Sequence, residues 1–212
     1  MRYVVTGAAG FIGSHLAEAL VSAGHEVSGV DCFTDYYDPA EKEANARGLD
    51  VRRLDLAEEP LELEGVDGVV LRYFTVYGPR QRPDMFFRRV YEALLSGCPF
   101  ELYGSGAQSR SFTEVGDAVG ATVAAMERAP AGAVYNVGGG EESSVLESLA
   151  LLERLSGRTL ELRHVDEAKG DVRRTKADVS RIRAALGWEP RTSLEDGLAR
   201  MWSWASARVA AG

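Results

Sequence analysis

The chain has 212 residues, 45% of them hydrophobic and 26% charged, enough for one well-filled core or a domain with a small appendage. A net charge of −8 argues against nucleic acid as a partner, and no apolar run reaches the length of a membrane span. Cys32 and Cys98 lack metal spacing, His15, His25 and His164 are scattered singly, and no signal-peptide pattern precedes the first strand, so a cytoplasmic protein with reduced thiols and no metal is expected.

In chain order, Tyr3-Val-Val-Thr-Gly-Ala-Ala-Gly-Phe-Ile-Gly13 is a short β-branched run leading into three glycines, with a helical pattern directly after it. Strand, glycine turn and helix in that order are the context of a dinucleotide fingerprint. Gly7 permits the turn, Gly10 lets backbone approach a pyrophosphate, and Gly13 lets helix and strand pack closely. Phe11 and Ile12 open the helix whose N-terminal amides face the anion. Val27–Asp31 reads as a second strand ending in an acid, at a spacing suited to a ribose-binding carboxylate. A short charged helix over 39–48 and a third strand over 49–56 follow. Asp55 and Leu56 close that strand, placed to flank an adenine. Residues 66–74 form an apolar β-rich run, followed by the turn-rich 77–84.

Helical periodicity over 85–96, a strand at 100–103, a helix over 115–128 and a strand over 133–137 come next. A helix over 143–156, a strand over 159–165 and helices over 179–186 and 194–209 complete the chain. Alternating strands and helices predict an α/β fold: a shortened, Rossmann-like, doubly wound parallel sheet with a small C-terminal α/β substrate-binding portion. The organisation expected is residues 1–76 as the N-terminal part of the dinucleotide domain and 77–212 as the remainder, together one unit.

The segments Thr6–Gly13, Asp31, Leu71–Pro79, Leu102–Gly106, Tyr135–Gly138, Gly170–Val172, Ala177–Asp178 and Leu186–Pro190 occur in the order seen in extended short-chain dehydrogenases/reductases. The chain resembles a nucleotide-sugar epimerase/dehydratase. Asp35-Tyr-Tyr-Asp-Pro39 and Phe74–Met85 are similar to UDP-glucuronate 4-epimerases. The resemblance implies NAD on Gly7, Gly10, Phe11, Ile12, Gly13, Asp31, Asp55 and Leu56. It implies a UDP-type nucleotide or nucleotide-sugar on Tyr77, Arg82, Met85, Arg110 and Arg173 or Arg174.

The resemblance is discontinuous. In that family a cofactor loop, a catalytic Ser/Thr strand and a Tyr-x-x-x-Lys helix separate the strand at 66–70 from the one at 71–74. Here Val70 runs straight into Leu71. None of Tyr3, Tyr36, Tyr37, Tyr73, Tyr77, Tyr91, Tyr103 or Tyr135 has a lysine four residues on. After the second glycine-rich loop the chain reads Arg110-Ser-Phe-Thr-Glu-Val-Gly-Asp117, where family members carry Arg-Asp-Phe-Thr-Tyr-Val-Asp-Asp. The reading is an internally deleted epimerase that keeps nucleotide binding, with weakened NAD affinity, and has no catalytic residue. Two alternatives stand beside it: an active NAD-dependent 4-epimerase or oxidoreductase with a relocated base, from Tyr77 or a partner chain, and a non-enzymatic scaffold or engineered deletion. Two structural expectations follow. Residues 66–74 should form one fused strand beside the first, with 135–137 close to it. Surface uncovered by the loss should drive a homodimer through a non-standard interface.

Overall fold

The N-terminal pattern folds as β1 (Arg2–Thr6), α1 (Phe11–Ser22), β2 (Glu26–Asp31), α2 (Pro39–Asn45) and β3 (Val51–Arg53) in the computed structural model, which describes residues 1–59, 68–166 and 172–210. The three strands are parallel in the order β1-β2-β3, with Tyr3 opposite Val27 and Gly29 opposite Val51. A short helix such as α2 has little stability of its own. Asp38 caps it by accepting from the Ala40 amide, and Pro39 supplies a pre-set first turn.

β4 (Val70–Tyr73) crosses the Val70–Leu71 junction but is shorter than the expected strand over 66–74: Gly68, Val69 and Phe74 lie outside it, and Val66 and Asp67 lie outside the described residues. It pairs in parallel with β9 (Val134–Val137), placing Tyr73 opposite Val137. The expected position beside β1 is not found: β1 and β4 belong to separate sheets. The reason lies in the pairing itself. β9 takes one edge of β4 and β2 takes one edge of β1, and neither of the remaining edges pairs with a described strand. Val4 and Val70 accordingly stay 52% and 54% exposed, unusual for parallel strands.

The other strands are short. β5 (Val76–Tyr77) pairs with β8 (Thr113–Glu114), and β6 (Phe100–Tyr103) with β11 (Leu162–Val165), all in parallel. β7 (Ser109–Ser111) lies between antiparallel β10 (Glu142–Ser144) and parallel β12 (Arg174–Thr175). The helices are α3 (Phe86–Ser96), α4 (Val115–Arg128), α5 (Val145–Ser156), α6 (Ser180–Leu186) and α7 (Leu194–Ala210). A reciprocal cap of Ser144 and Glu147 starts α5, and left-handed Gly157 ends it.

Three apolar cores hold these parts. Val5, Ala8, Ala17 and Leu20 join α1 to the first sheet. Phe11, Val76, Val115, Ala118, Tyr135 and Ile182 tie α1 to α4, α6 and the second sheet. Phe87, Tyr91, Leu102, Leu152, Leu198 and Met201 fill the space between α3, α5, α7 and β6. The architecture is α/β with parallel sheets, as the alternation of elements predicts.

Candidate functional site

Between β1 and α1 the backbone turns at Gly7, φ +68°, a conformation that side-chain-bearing residues rarely adopt. The Gly10 amide donates to the Gly7 carbonyl at 2.9 Å, and a Cβ at Gly10 would press on the same oxygen. A Cβ at Gly13 would overlap the Gly7 carbonyl outright, so only glycine lets α1 come this close to the turn. No side chain caps α1 and no acid occupies its first turn, which leaves its N-terminal amides for an anion.

Asp31 ends β2 with its side chain buried. Its Oδ2 accepts from the Ala9 amide at 3.2 Å, and its Oδ1 from the Phe33 amide at 2.7 Å and from Lys42 Nζ at 3.3 Å. Lys42 is 7% exposed, also donates to Thr34, and lies 5.5 Å over the Tyr37 ring. Asn45 donates to the Ala9 carbonyl at 3.1 Å. Lys42 and Asn45 were not among the expected site residues, because the charge pattern of α2 reads as a solvated helix. The available signal was a lysine five and six residues after the tyrosine pair at 36–37.

These groups surround a cavity of about 760 Å³. It collects ten of the expected residues: Gly7, Gly10, Phe11, Ile12, Gly13, Asp31, Asp55 and Leu56 on one wall, Arg82 and Met85 on the other. Asp55 keeps its Oδ1 on the Ala57 amide at 2.9 Å. Arg82 is held by both oxygens of Asp84, at 3.1 and 3.0 Å, and lies over the Tyr36 ring at 5.3 Å. The glycine turn, open helix end and terminal carboxylate fit the adenosine and pyrophosphate half of a dinucleotide.

The opposite end, at Tyr73, Thr75 and Val76, is different. The Tyr73 hydroxyl is 2.7 Å from Thr122 Oγ1, and burial pushes its pKa up. Among the described residues no lysine accompanies it: Lys42 is committed to Asp31. Thr75 has φ +32°, a strained value for a β-branched residue. It also lines a second cavity of about 280 Å³, shared with Phe86, Arg89, Phe100, Arg110 and Phe112. Thr75 is therefore the joint between the two spaces. Arg110 donates from Nη1 to the Ser109 carbonyl at 2.8 Å while its side chain lines this second cavity.

Three expected substrate residues lie elsewhere. Tyr77 is 1% exposed, packs against Gly197 and donates to the carbonyls of Ser193 and Leu194 at 3.3 and 3.5 Å. Burial raises its pKa above the ordinary phenol range, and it lines neither of the two cavities. Arg174 grips Glu142 through two bonds of 2.7 and 2.8 Å, holding that carboxyl down at about 2. Arg173 offers its carbonyl to the Ser109 amide, and neither arginine lines either of these two cavities. The odd segment Glu114–Gly116 also has a local cause. The buried Glu114 carboxylate caps α4 by accepting from the Gly116 amide, and a Cβ at Gly116 would crowd that carboxylate.

The profile of the NAD dependent epimerase/dehydratase family matches residues 3–64 and 61–138. A UDP-glucuronate 4-epimerase of Thermodesulfobacterium geofontis is 38% identical over 149 residues, 69% of this chain and 46% of the relative. A probable UDP-glucuronate 4-epimerase of Rhizobium meliloti is 25% identical over 329 aligned residues, covering 96% of each chain. A crystal structure of UDP-glucuronic acid 4-epimerase from Bacillus cereus, in complex with UDP-glucuronic acid and NAD, superposes with a TM-score of 0.88 at 26% identity, covering 98% of this chain and 100% of the other. In the matches over 135 to 149 residues the chain spans about half the length of the curated relatives.

Proposed function

This chain belongs to the NAD dependent epimerase/dehydratase family, and from that premise we propose that it binds a dinucleotide and a UDP-type nucleotide without interconverting sugars. The carrying observation is the contrast within one cavity. Its glycine-turn end gathers the groups that suit an adenosine and pyrophosphate, while at its far end no tyrosine has a lysine beside it among the described residues. Two features support an internal deletion as the cause. The family profile matches in two pieces that meet at residues 61–64. The 329-residue alignment takes in only 96% of 212 residues, so more than a hundred positions of that relative lack a counterpart.

In this reading Asp31 accepts from a ribose diol, the α1 amides and Gly10 backbone hold the pyrophosphate, and Lys42 fixes the Asp31 carboxylate. NAD, when bound, would supply a hydride acceptor. The chain would orient it but, among the described residues, lacks a tyrosine–lysine pair to take a hydroxyl proton, a function worth ~10²–10⁴-fold in rate. The second cavity would take the UDP-type nucleotide, with Arg110 toward the phosphates and the phenylalanines against the base. Charge-assisted bonds to phosphate are the strong kind, so this affinity survives better than that for NAD.

Calorimetric titration with NAD and with UDP, followed by incubation with NAD and UDP-glucuronate, tests the proposal. Binding without an altered sugar is expected. Robust turnover would refute it and would direct attention to Tyr73, which lines the cavity. Copies of the chain are further proposed to form a homodimer through surface around Val4, Val70 and Tyr73, 52%, 54% and 38% exposed. Light scattering that finds only monomer at high concentration would exclude this.

A further inference from the structure

Because β1 and β4 share no ladder, the two walls of the first cavity are held together by other contacts. One set is apolar, where α1 packs on α4. Another is polar and centres on Glu41 of α2. Glu41 Oε1 accepts from Arg88 Nη2 at 2.7 Å and from Arg208 Nη2 at 3.0 Å, and Oε2 accepts from Arg88 Nη1 at 3.3 Å. The Arg88 side chain is only 8% exposed and is completed by Glu92 at 2.6 Å and the Gln81 carbonyl at 3.3 Å. Trp204 lies against both guanidinium groups, each 5.1 Å from its ring.

Two further residues of the same short helix reach the glycine turn and Asp31. Lys42 holds Asp31, and Asn45, one turn on from Glu41, holds the Ala9 carbonyl of the glycine turn. α2 is thus tied both to α3 and α7 and to the groups that would meet a dinucleotide. We infer that Glu41 is a positioning residue for the first cavity: its clasp on Arg88 and Arg208 fixes α2, and through α2 sets Lys42, Asp31 and the glycine turn. This rests on the dinucleotide reading given above. Removing the Glu41 charge leaves the buried Arg88 with Glu92 as its charged partner among the described residues and takes away one anchor of a seven-residue helix that has little stability of its own.

The test compares the full chain with Glu41→Gln and, as a milder lesion remote from the cavity, Arg208→Ala. In the ligand-free proteins, hydrogen exchange should quicken at residues 8–13 and 40–45 in Glu41→Gln, with α5 unchanged. NAD affinity should fall about tenfold in Glu41→Gln, the size of one charge-assisted bond, and by less in Arg208→Ala, while UDP affinity stays within a factor of about two. A merely structural lesion would move both affinities together, and that result overturns the inference. So does unchanged exchange at residues 8–13. Quickened exchange in Glu41→Gln, with a wild-type protein that binds no NAD, would instead sink the dinucleotide reading and leave the clasp standing.

Discussion

The two cavities are built in opposite ways. The first is made by backbone: three glycines within seven residues, an uncapped helix start and one carboxylate at a strand end. The second is made by side chains from distant segments, with Phe86 6.0 Å from Phe100, Phe87 4.7 Å from Phe112, and Arg110 on a strand of three residues. Backbone sites tolerate almost no added atom. Side-chain sites can repack, losing part of their grip at a time.

The harshest way to break the first cavity is Gly13→Ala. The new methyl overlaps the Gly7 carbonyl, and forcing α1 away from β1 is expected to cost ~3 kcal/mol and to abolish NAD binding, read by urea unfolding and calorimetry. A cleaner dissection pairs Gly10→Val with Arg110→Ala. The first should eliminate dinucleotide binding and spare UDP. The second should weaken UDP about tenfold and spare the dinucleotide. If either variant damaged both ligands equally, the two cavities would be one site.

Tyr77→Phe sharpens the comparison from outside. Among the described residues its hydroxyl bonds to the Ser193 and Leu194 carbonyls, so the loss should appear as about 1 kcal/mol of stability with both affinities intact. A drop in UDP affinity would return Tyr77 to the binding machinery.

The smallest effect concerns pH. His15 lies against Pro79, its Nε2 3.0 Å from that carbonyl, and burial lowers its pKa below 6.5. A group with a depressed folded pKa that must charge on acidification stabilises the neutral-pH fold, and the contribution disappears as pH falls below 6.5. Stability measured from pH 7 to 5 should decline less steeply in His15→Gln than in wild type. A parallel decline would show that His15 does not carry the effect.

What could be read beforehand follows the same division. Gly7, Gly10, Gly13 and Asp31 were legible because backbone geometry admits few residues at those places, and a single sequence records the restriction. The run through Val70 and Leu71 was legible as one strand, but its separation from β1 was not, because pairing between distant edges leaves no local pattern. Tyr77 lines neither cavity although its neighbours in sequence, Arg82 and Met85, do line the first. Its burial depends on Gly197, 120 residues on, which no local rule connects to it. Arg174 was misplaced for a similar cause, since Glu142 meets it across the three strands β10, β7 and β12, each of two or three residues. Lys42 lacked a visible partner until the turn after β2 brought Asp31 beneath it.

The strand pairings also set an order in which the chain can acquire its shape as it leaves the ribosome. β1, β2 and β3 pair with immediate successors, so the glycine turn, Asp31 and α2 can assemble once residue 53 is available. Val70 must wait for Val134, Phe100 for Leu162, and the face of α3 for α7. Contacts of long separation form late, so one wall of the first cavity should stand well before the other reaches it. Until α7 emerges with Arg208 and Trp204, Glu41 has no complete clasp, and the nascent wall carries its future anchor point as an exposed carboxylate.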